Sequence, residues 1–265
     1  MTEHVNTEKT LENYAHVIMR TPGGEPGRGE TSVDLGAPDV PKLHDQVAQY
    51  KSVVESFGIT VTELPALVSF PDSYFVEDVA IVVPEFAVIT RPGAASRQSE
   101  PDHMIETLKA HREIARIVDP GTLDGGDVLI VGHHCIVGLS ARTNRQGAEQ
   151  LAQFLRPFNY RTDIVEVPEA LHFKSSVNFI ASNTLLTTSA CQSMRCLDGY
   201  QKLVVPDDER YAANVVWMNG RLLVPKGYPG TQNLLEKHGF ETVVMAVSEV
   251  EKMDGGLTCL SLRIT

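Results

Sequence analysis

Asp254-Gly255-Gly256-Leu257-Thr258-Cys259-Leu260-Ser261-Leu262-Arg263-Ile264-Thr265 is the last stretch of the chain, and the reading of the fold turns on it. Two glycines open it, so the backbone can turn tightly before Cys259. Leu257, Cys259 and Ser261 then alternate with Thr258, Leu260 and Leu262, which is the period of a strand. A strand opening here can be completed only by the first strand and helix of the chain. Cys259 itself reads in two ways. It is a small buried hydrophobe, as free cysteines commonly are. Or it is a nucleophile, which needs an acid or base, a carboxylate and a substrate anchor elsewhere.

The rest of the chain repeats one pattern. A short strand from His16 to Met19 leads to residues 22–36, which hold five glycines and two prolines and read as a mobile lid loop. A helix follows from Pro41 to Phe57, with Leu43, Val47, Tyr50, Val54 and Phe57 at helical spacing, and then a strand over 59–64. Hairpins are predicted at 78–90, 127–139, 177–188 and 214–224, the last around the turn dipeptide Asn219-Gly220. Helices near 101–110, 146–155 and 231–238 and single strands at 114–118, 163–167, 203–205 and 242–247 follow them. Five strand–turn–strand–helix–strand units at a spacing of about 40–50 residues suggest a closed ring. The expected fold is an α/β five-bladed ββαβ propeller, a single domain over 15–265, with residues 1–14 as a disordered leader.

A formal charge of −11 argues against nucleic acid, which wants a basic face, and is compatible with a cationic small molecule. No apolar run approaches the ~20 residues of a membrane span, and the polar N-terminal stretch carries no secretory signal. Four scattered cysteines without a CxxC pair suggest neither zinc ribbon nor dithiol redox centre. The expectation is a cytoplasmic protein with a small-molecule substrate and no membrane or nucleic-acid partner; a homodimer is left open.

In such a ring, polar residues at the start of each unit's first strand converge on one end of the central channel. Asp72, Glu77 and Asp78 crowd Phe70-Pro71-Asp72-Ser73-Tyr74-Phe75-Val76-Glu77-Asp78 beside aromatics. They are a solvated acidic turn, or partly buried carboxylates that need a cation. Asp124-Gly125-Gly126-Asp127 reads as a plain turn or as backbone that can approach a ligand. His172, flanked by Leu171 and Phe173, is a structural histidine or an acid–base group. Arg97 and Arg142 follow hairpins and read as surface arginines or as carboxylate clamps. His133-His134 would point to opposite faces of a strand and make a poor joint metal site.

Phe70-Pro71-Asp72-Ser73, Phe75-Val76-Glu77-Asp78, Ile89-Thr90-Arg91-Pro92-Gly93-Ala94, Gly121-Thr122-Leu123-Asp124-Gly125-Gly126-Asp127, Ala141-Arg142-Thr143-Asn144, Leu171-His172-Phe173-Lys174, Tyr211-Ala212-Ala213-Asn214 and Asp254-Gly255-Gly256-Leu257-Thr258-Cys259 resemble the dimethylarginine dimethylaminohydrolases of the guanidine-modifying (pentein) superfamily. The resemblance runs from about residue 15 to 265. It implies Cys259 as nucleophile, His172 as general acid and base, and Asp124, where some relatives carry Glu, as its orienting carboxylate. It implies Asp72, Glu77 and Asp78 for the cationic end and α-amino group, Arg97 and Arg142 for the α-carboxylate, and a backbone contact from Met253. Glu30 stands in the lid where relatives often carry a leucine that contacts substrate through its backbone. The implied reaction converts N,N-dimethyl-L-arginine or N-monomethyl-L-arginine to L-citrulline through a Cys thiouronium, without metal or cofactor. The alternatives are an arginine deiminase-type hydrolase and a non-enzymatic propeller that binds cationic amino acids.

Overall fold

A computed structural model describes residues 13–168 and 171–265. In chain order the elements are β1 (His16–Arg20), α1 (Val40–Ser56), β2 (Thr60–Leu64), β3 (Ala80–Val82), β4 (Ala87–Ile89), α2 (Ile105–Lys109), β5 (Ile114–Arg116), β6 (Val128–Val131), β7 (His134–Leu139), α3 (Arg145–Leu155) and β8 (Arg161–Glu166). They continue with β9 (Val177–Phe179), β10 (Thr184–Thr187), β11 (Gln201–Val204), β12 (Val216–Met218), β13 (Arg221–Pro225), α4 (Pro229–Lys237), β14 (Thr242–Met245), α5 (Ser248–Glu251) and β15 (Leu262–Ile264).

Five three-stranded sheets result, β15-β1-β2, β3-β4-β5, β6-β7-β8, β9-β10-β11 and β12-β13-β14. In each, the first pair is antiparallel and the second parallel, so a crossover must follow the hairpin. The ring closes where the chain's two ends meet: Val17 pairs with Arg263 across β1 and β15, and His16 with Thr60 across β1 and β2. This is the expected α/β propeller.

Helix α1 shows how a crossover is built. Asp39 caps it, accepting from the Lys42 N–H at 3.1 Å, and Pro41 sits in its first turn. Leu43, Val47, Tyr50 and Val54 bury one stripe against Val17, Met19 and Met245. Gly58 ends it at φ +78°, a conformation that costs a glycine little. The β12–β13 turn follows its dipeptide, with Asn219 at φ 46° and Gly220 at φ 88°.

Three expectations need correction. The third unit has no α-helix; between β10 and β11 the chain makes turns and a short 3₁₀ segment, Arg195–Leu197, whose Cys196 and Leu197 join Cys191 in filling that place. Tyr14 is not part of a loose leader. Its N–H donates to Asn219 Oδ1 at 2.8 Å, and Asn219 Nδ2 donates back to its carbonyl at 3.0 Å; residues 1–12 lie outside the described residues. Finally, Cys259 is not in a strand. Thr258–Leu260 is a 3₁₀ turn in which the Cys259 N–H donates to Gly256 O, and the strand starts only at Leu262.

That last difference recurs around the ring. Val76–Val79, Gly125–Asp127, Phe173–Ser175 and Asp207–Ala213 are also 3₁₀ turns, each set before the first strand of its blade. The turns pack on one another and form a septum across the channel. Close approach requires glycine there: a Cβ on Gly125 would lie 1.9 Å from the Glu77 carbonyl oxygen. Gly125→Ala is therefore expected to destabilise the protein by about 1–3 kcal/mol, the cost of overpacking against backbone. Urea unfolding measures it; an unchanged midpoint would show that the turns do not pack this tightly.

Candidate active site

The last turn of the septum places Cys259 in a pocket also lined by His172, Asp78, Asp72 and the lid residue Glu30. His172 Nε2 lies 3.1 Å from Asp124 Oδ2. Asp124 is wholly buried and its other oxygen accepts the Gly93 N–H at 2.9 Å. The imidazole rests on Gly126, where a Cβ would meet Nδ1 at 2.7 Å. The three groups implied for nucleophile, acid–base and orienting carboxylate thus stand together, although 48 residues separate Asp124 from His172.

Burial alone would lower the His172 pKa. The charge of Asp78, the hydrogen bond to Asp124 and the charge of Asp127 outweigh it and push the imidazole up to about 9. Cys259 moves the opposite way for catalysis. Burial, then the charges of Glu77 and Asp78, push the thiol up to about 12, against weaker relief from the Gly256 N–H and Thr258. At neutral pH the protein alone holds an imidazolium and a thiol, not a thiolate.

The carboxylates are arranged for a cation. Asp78 is buried, bonded by the Gly126 N–H at 3.0 Å and by Arg97 Nη1 at 2.7 Å. Asp72 is 3% exposed; its Oδ2 accepts the Glu30 N–H at 2.9 Å, while Oδ1 has no hydrogen-bond partner among the described residues. Burial holds the Asp72 pKa above its ordinary value. Arg97 is largely committed within the protein: it also holds Glu100 through Nε and Nη2, and the carbonyls of Asp72 and Phe75. Arg142 lines the pocket with a guanidinium that no hydrogen bond or ion pair engages among the described residues, and Met253 lines it too.

The 22–36 loop, expected as a lid, lies over this group. Ser96 Oγ donates to Glu30 Oε1 at 2.6 Å, Thr31 Oγ1 to Lys252 O at 3.1 Å, and the Ser32 N–H and Oγ to Asp254 Oδ2 at 2.5 and 2.9 Å. The cavity beneath measures about 20 Å³, room for a water molecule but not for an amino acid.

Glu77 is the exception among the expected site residues. It does not line this pocket. Its Oε1 meets Lys174 Nζ at 2.7 Å and Arg263 Nη2 at 2.8 Å, and its Oε2 accepts from Thr258 Oγ1 at 2.7 Å, all on the other side of the septum. Adjacent residues of a 3₁₀ turn project about 120° apart, so Asp78 faces one side and Glu77 the other. The sequence reading gave no role to Glu100 or Asp254, and gave Asp127 only a place in the turn Asp124-Gly125-Gly126-Asp127. Glu100 was signalled by its place three residues after Arg97. Asp254, at φ +57° in the loop before Cys259, bonds the lid. Asp127 accepts the Phe173 N–H at 2.9 Å and Ser140 Oγ at 2.7 Å, fixing the turn that carries His172. Asp78, Asp124 and His172 bring one ligand atom each within 4.8 Å. Those atoms already serve the His172–Asp124 hydrogen bond and the pair that Asp78 makes with Arg97.

A five-bladed α/β propeller with a cysteine, a histidine–carboxylate pair and buried carboxylates at one end of its channel is the architecture of the guanidine-modifying class. The family model described as arginine deiminase matches residues 52–194. The chain is 36% identical over 252 residues, 94% of its length and 99% of the relative's, to the N(G),N(G)-dimethylarginine dimethylaminohydrolase of Pseudomonas aeruginosa. It is 35% identical to the protein of that name from Streptomyces coelicolor, over 83% of this chain and 85% of that one. A structure of the Pseudomonas aeruginosa protein, a cysteine-to-serine mutant complexed with citrulline, superposes with a TM-score of 0.93 at 35% identity, covering 96% of this chain and all of that one. The chain belongs to the dimethylarginine dimethylaminohydrolase family.

Two measurements check the geometry. The ultraviolet absorbance of the thiolate, wild type minus Cys259→Ser, is expected to stay absent well past the ordinary cysteine range of ~8.5; a titration near that value would refute the electrostatic picture. Loss of the lid bonds in Asp254→Ala should speed tryptic cleavage after the lid residue Arg28 several-fold, by about the weight of two exposed hydrogen bonds. Equal cleavage rates would mean that Asp254 does not hold the lid.

Proposed function

We propose that the chain hydrolyses N,N-dimethyl-L-arginine and N-monomethyl-L-arginine to L-citrulline, releasing dimethylamine or methylamine. The observation that carries this reading is one pocket lined by Cys259, by His172 with Asp124 bonded behind it, and by Asp72, whose buried Oδ1 lacks a partner among the described residues. A guanidinium supplies what such a carboxylate needs. Family membership and the citrulline held by the Pseudomonas aeruginosa mutant support it.

The steps follow from the charges. The substrate cation binds Asp72 and Asp78, and the Cys259 thiol releases its proton to solvent, since the positive charge opposes the carboxylates that hold the thiol up. Sγ attacks the guanidinium carbon. His172 gives its proton to the dimethylated nitrogen, the C–N bond breaks, and the amine leaves neutral with a thiouronium on Cys259. The now neutral His172 takes a proton from water, hydroxide adds to the same carbon, and the C–S bond breaks as the hydroxyl proton passes to sulfur, releasing the neutral ureido product and restoring the thiol and the imidazolium. Arg142 is assigned the α-carboxylate, with Arg97 acting mainly by holding Asp78 in place. Glu77 is assigned to the septum and not to substrate. The free state of Cys135, Cys191, Cys196 and Cys259 supports a cytoplasmic setting.

The test is a citrulline assay with dimethylarginine, monomethylarginine, arginine and agmatine side by side. The methylated amino acids should give the highest kcat/KM; a maximum with arginine would instead make the chain a deiminase, the activity for which its matching family model is named. Cys259→Ser should abolish turnover, and His172→Gly should lower kcat by about 10²–10⁴-fold. Because His172 must be protonated to act as the acid, kcat should fall as pH rises through about 9. A wild-type kcat that does not fall there would remove His172 from that role.

A further inference from the structure

We propose that the face of the septum turned away from Cys259 is a second binding site, which takes a small monocarboxylate on Lys174 and Arg263. The cavity on that side measures about 790 Å³, within the roughly 300–1,000 Å³ of small-molecule sites. It shares no lining residue with the Cys259 pocket.

Its lining holds two cations, Lys174 and Arg263, and the carboxylates of Glu77 and Glu85. Lys174 and Arg263 both rest on one oxygen of Glu77. Lys174 is 8% exposed, and among the described residues Glu77 is its one ion-pair or hydrogen-bond partner through Nζ. An ammonium has three donors, so two remain. A buried cation with unspent donors beside a guanidinium fits a planar carboxylate, which can take one bond from each. Trp217 lines the same cavity, and its Nε1–H is buried without a hydrogen-bond partner among the described residues. Glu85, in the turn between β3 and β4, also lines it and accepts from Tyr160. Its charge disfavours a polyanion. Tyr160, Tyr200 and Trp217 on the walls favour a ligand with a ring.

The site bears on the nucleophile. Thr258 lines this cavity while Cys259, the next residue, lines the other. Thr258 Oγ1 donates to Glu77 Oε2, and the Glu77 charge is the largest charge effect raising the Cys259 thiol. A carboxylate that draws Lys174 and Arg263 toward itself leaves Glu77 less neutralised and adds negative charge beside the thiol. Occupancy should therefore make thiolate formation harder.

Benzoate is the probe, with benzyl alcohol and sodium chloride at equal ionic strength as controls. Trp217 is the single tryptophan of the chain, so its fluorescence reports on this cavity directly. A saturable change with benzoate, absent with both controls, is expected. Glu77→Gln should tighten it about tenfold and Lys174→Gln weaken it about tenfold, the weight of one charge-assisted bond. Arg142→Ala should leave it unchanged, which separates this site from the Cys259 pocket. If Lys174→Gln does not fold, the tightening in Glu77→Gln decides alone. An unsaturable change, an equal response to benzyl alcohol, or no tightening in Glu77→Gln overturns the proposal. Alkylation of Cys259 by iodoacetamide should slow with benzoate occupancy; an unchanged rate at saturation overturns the coupling to the thiol. None of these readouts requires turnover, so they stand or fall separately from the proposed reaction.

Discussion

The Glu77 carboxylate is the group on which the centre of the molecule depends. It belongs to the turn before β3, and it holds Lys174 from the turn before β9 and both Thr258 and Arg263 from the chain's last segment. Asn214 extends the tie: its Nδ2 donates to the Lys174 carbonyl and to Thr258 Oγ1, and its Oδ1 accepts the Thr258 N–H. Four of the five blades are thereby fastened at the axis by hydrogen bonds. Apolar packing alone would not fix the turns so closely, because contact between blades is broad and non-directional. Bonds of defined length and angle set the turns relative to one another. The burial of Glu77 is compensated by two cations and a hydroxyl, and the Lys174 and Arg263 charges hold its pKa below the ordinary range despite desolvation.

Chemistry follows from that fastening because each turn serves two sides. Glu77 and Asp78, Thr258 and Cys259, and Lys174 and His172 are near neighbours in sequence, yet one member of each pair lines the wide cavity and the other the catalytic pocket. The structural network and the reactive groups share a backbone. A shift in one moves the other, and the position of Sγ relative to Asp78 is fixed by contacts the substrate never meets. This arrangement also sets the resting charges. Asp78, Asp124 and Asp127 surround His172 and keep it protonated, while Glu77 and Asp78 keep Cys259 a thiol.

Much of this was legible in the sequence because propeller blades repeat. Paired short strands followed by a lone strand recur five times, and the orphan strand after Gly256 left the N-terminal strand as its one completing partner. The polar residues before each inner strand then had to converge. What the sequence hid was the 3₁₀ turns. Leu257, Cys259 and Ser261 fall at the two-residue period of a strand, but the turn buries every residue from Leu257 to Ser261, so that spacing carries no information about which side each one faces. For the same reason Glu77 and Asp78 could not be told apart: both are acidic, and the side each faces depends on a turn with no periodic signature. The missing helix of the third blade was hidden because Cys191, Cys196 and Leu197 supply buried apolar volume from irregular backbone. Tyr14 was hidden because its anchor, Asn219, is 205 residues away.

The lid completes the electrostatic logic. A side chain on Gly29 would collide with Asp72, its Cβ 2.0 Å from Oδ1, so the closed lid lays bare backbone over that oxygen. Closure gives Asp72 one hydrogen bond, from the Glu30 N–H, but removes water from the other oxygen and brings the Glu30 charge near it. The lid's remaining bonds, to Ser96, Lys252 and Asp254, are exposed and individually weak. Closing over the carboxylates alone therefore gains little. Closing over a guanidinium is different: Asp72 Oδ1 acquires a charged donor, and Asp78 and Glu30 change from repelling neighbours to members of a neutralised cluster. A ligand shifts a two-state equilibrium by its difference in affinity for the two states. In the proposed reaction that difference would reside in the cation, so the group that undergoes reaction would also be the one that favours closure and the exclusion of water. A neutral ureido product lacks the charge, so on the same reading its formation would remove the advantage of the closed state at the moment release is required.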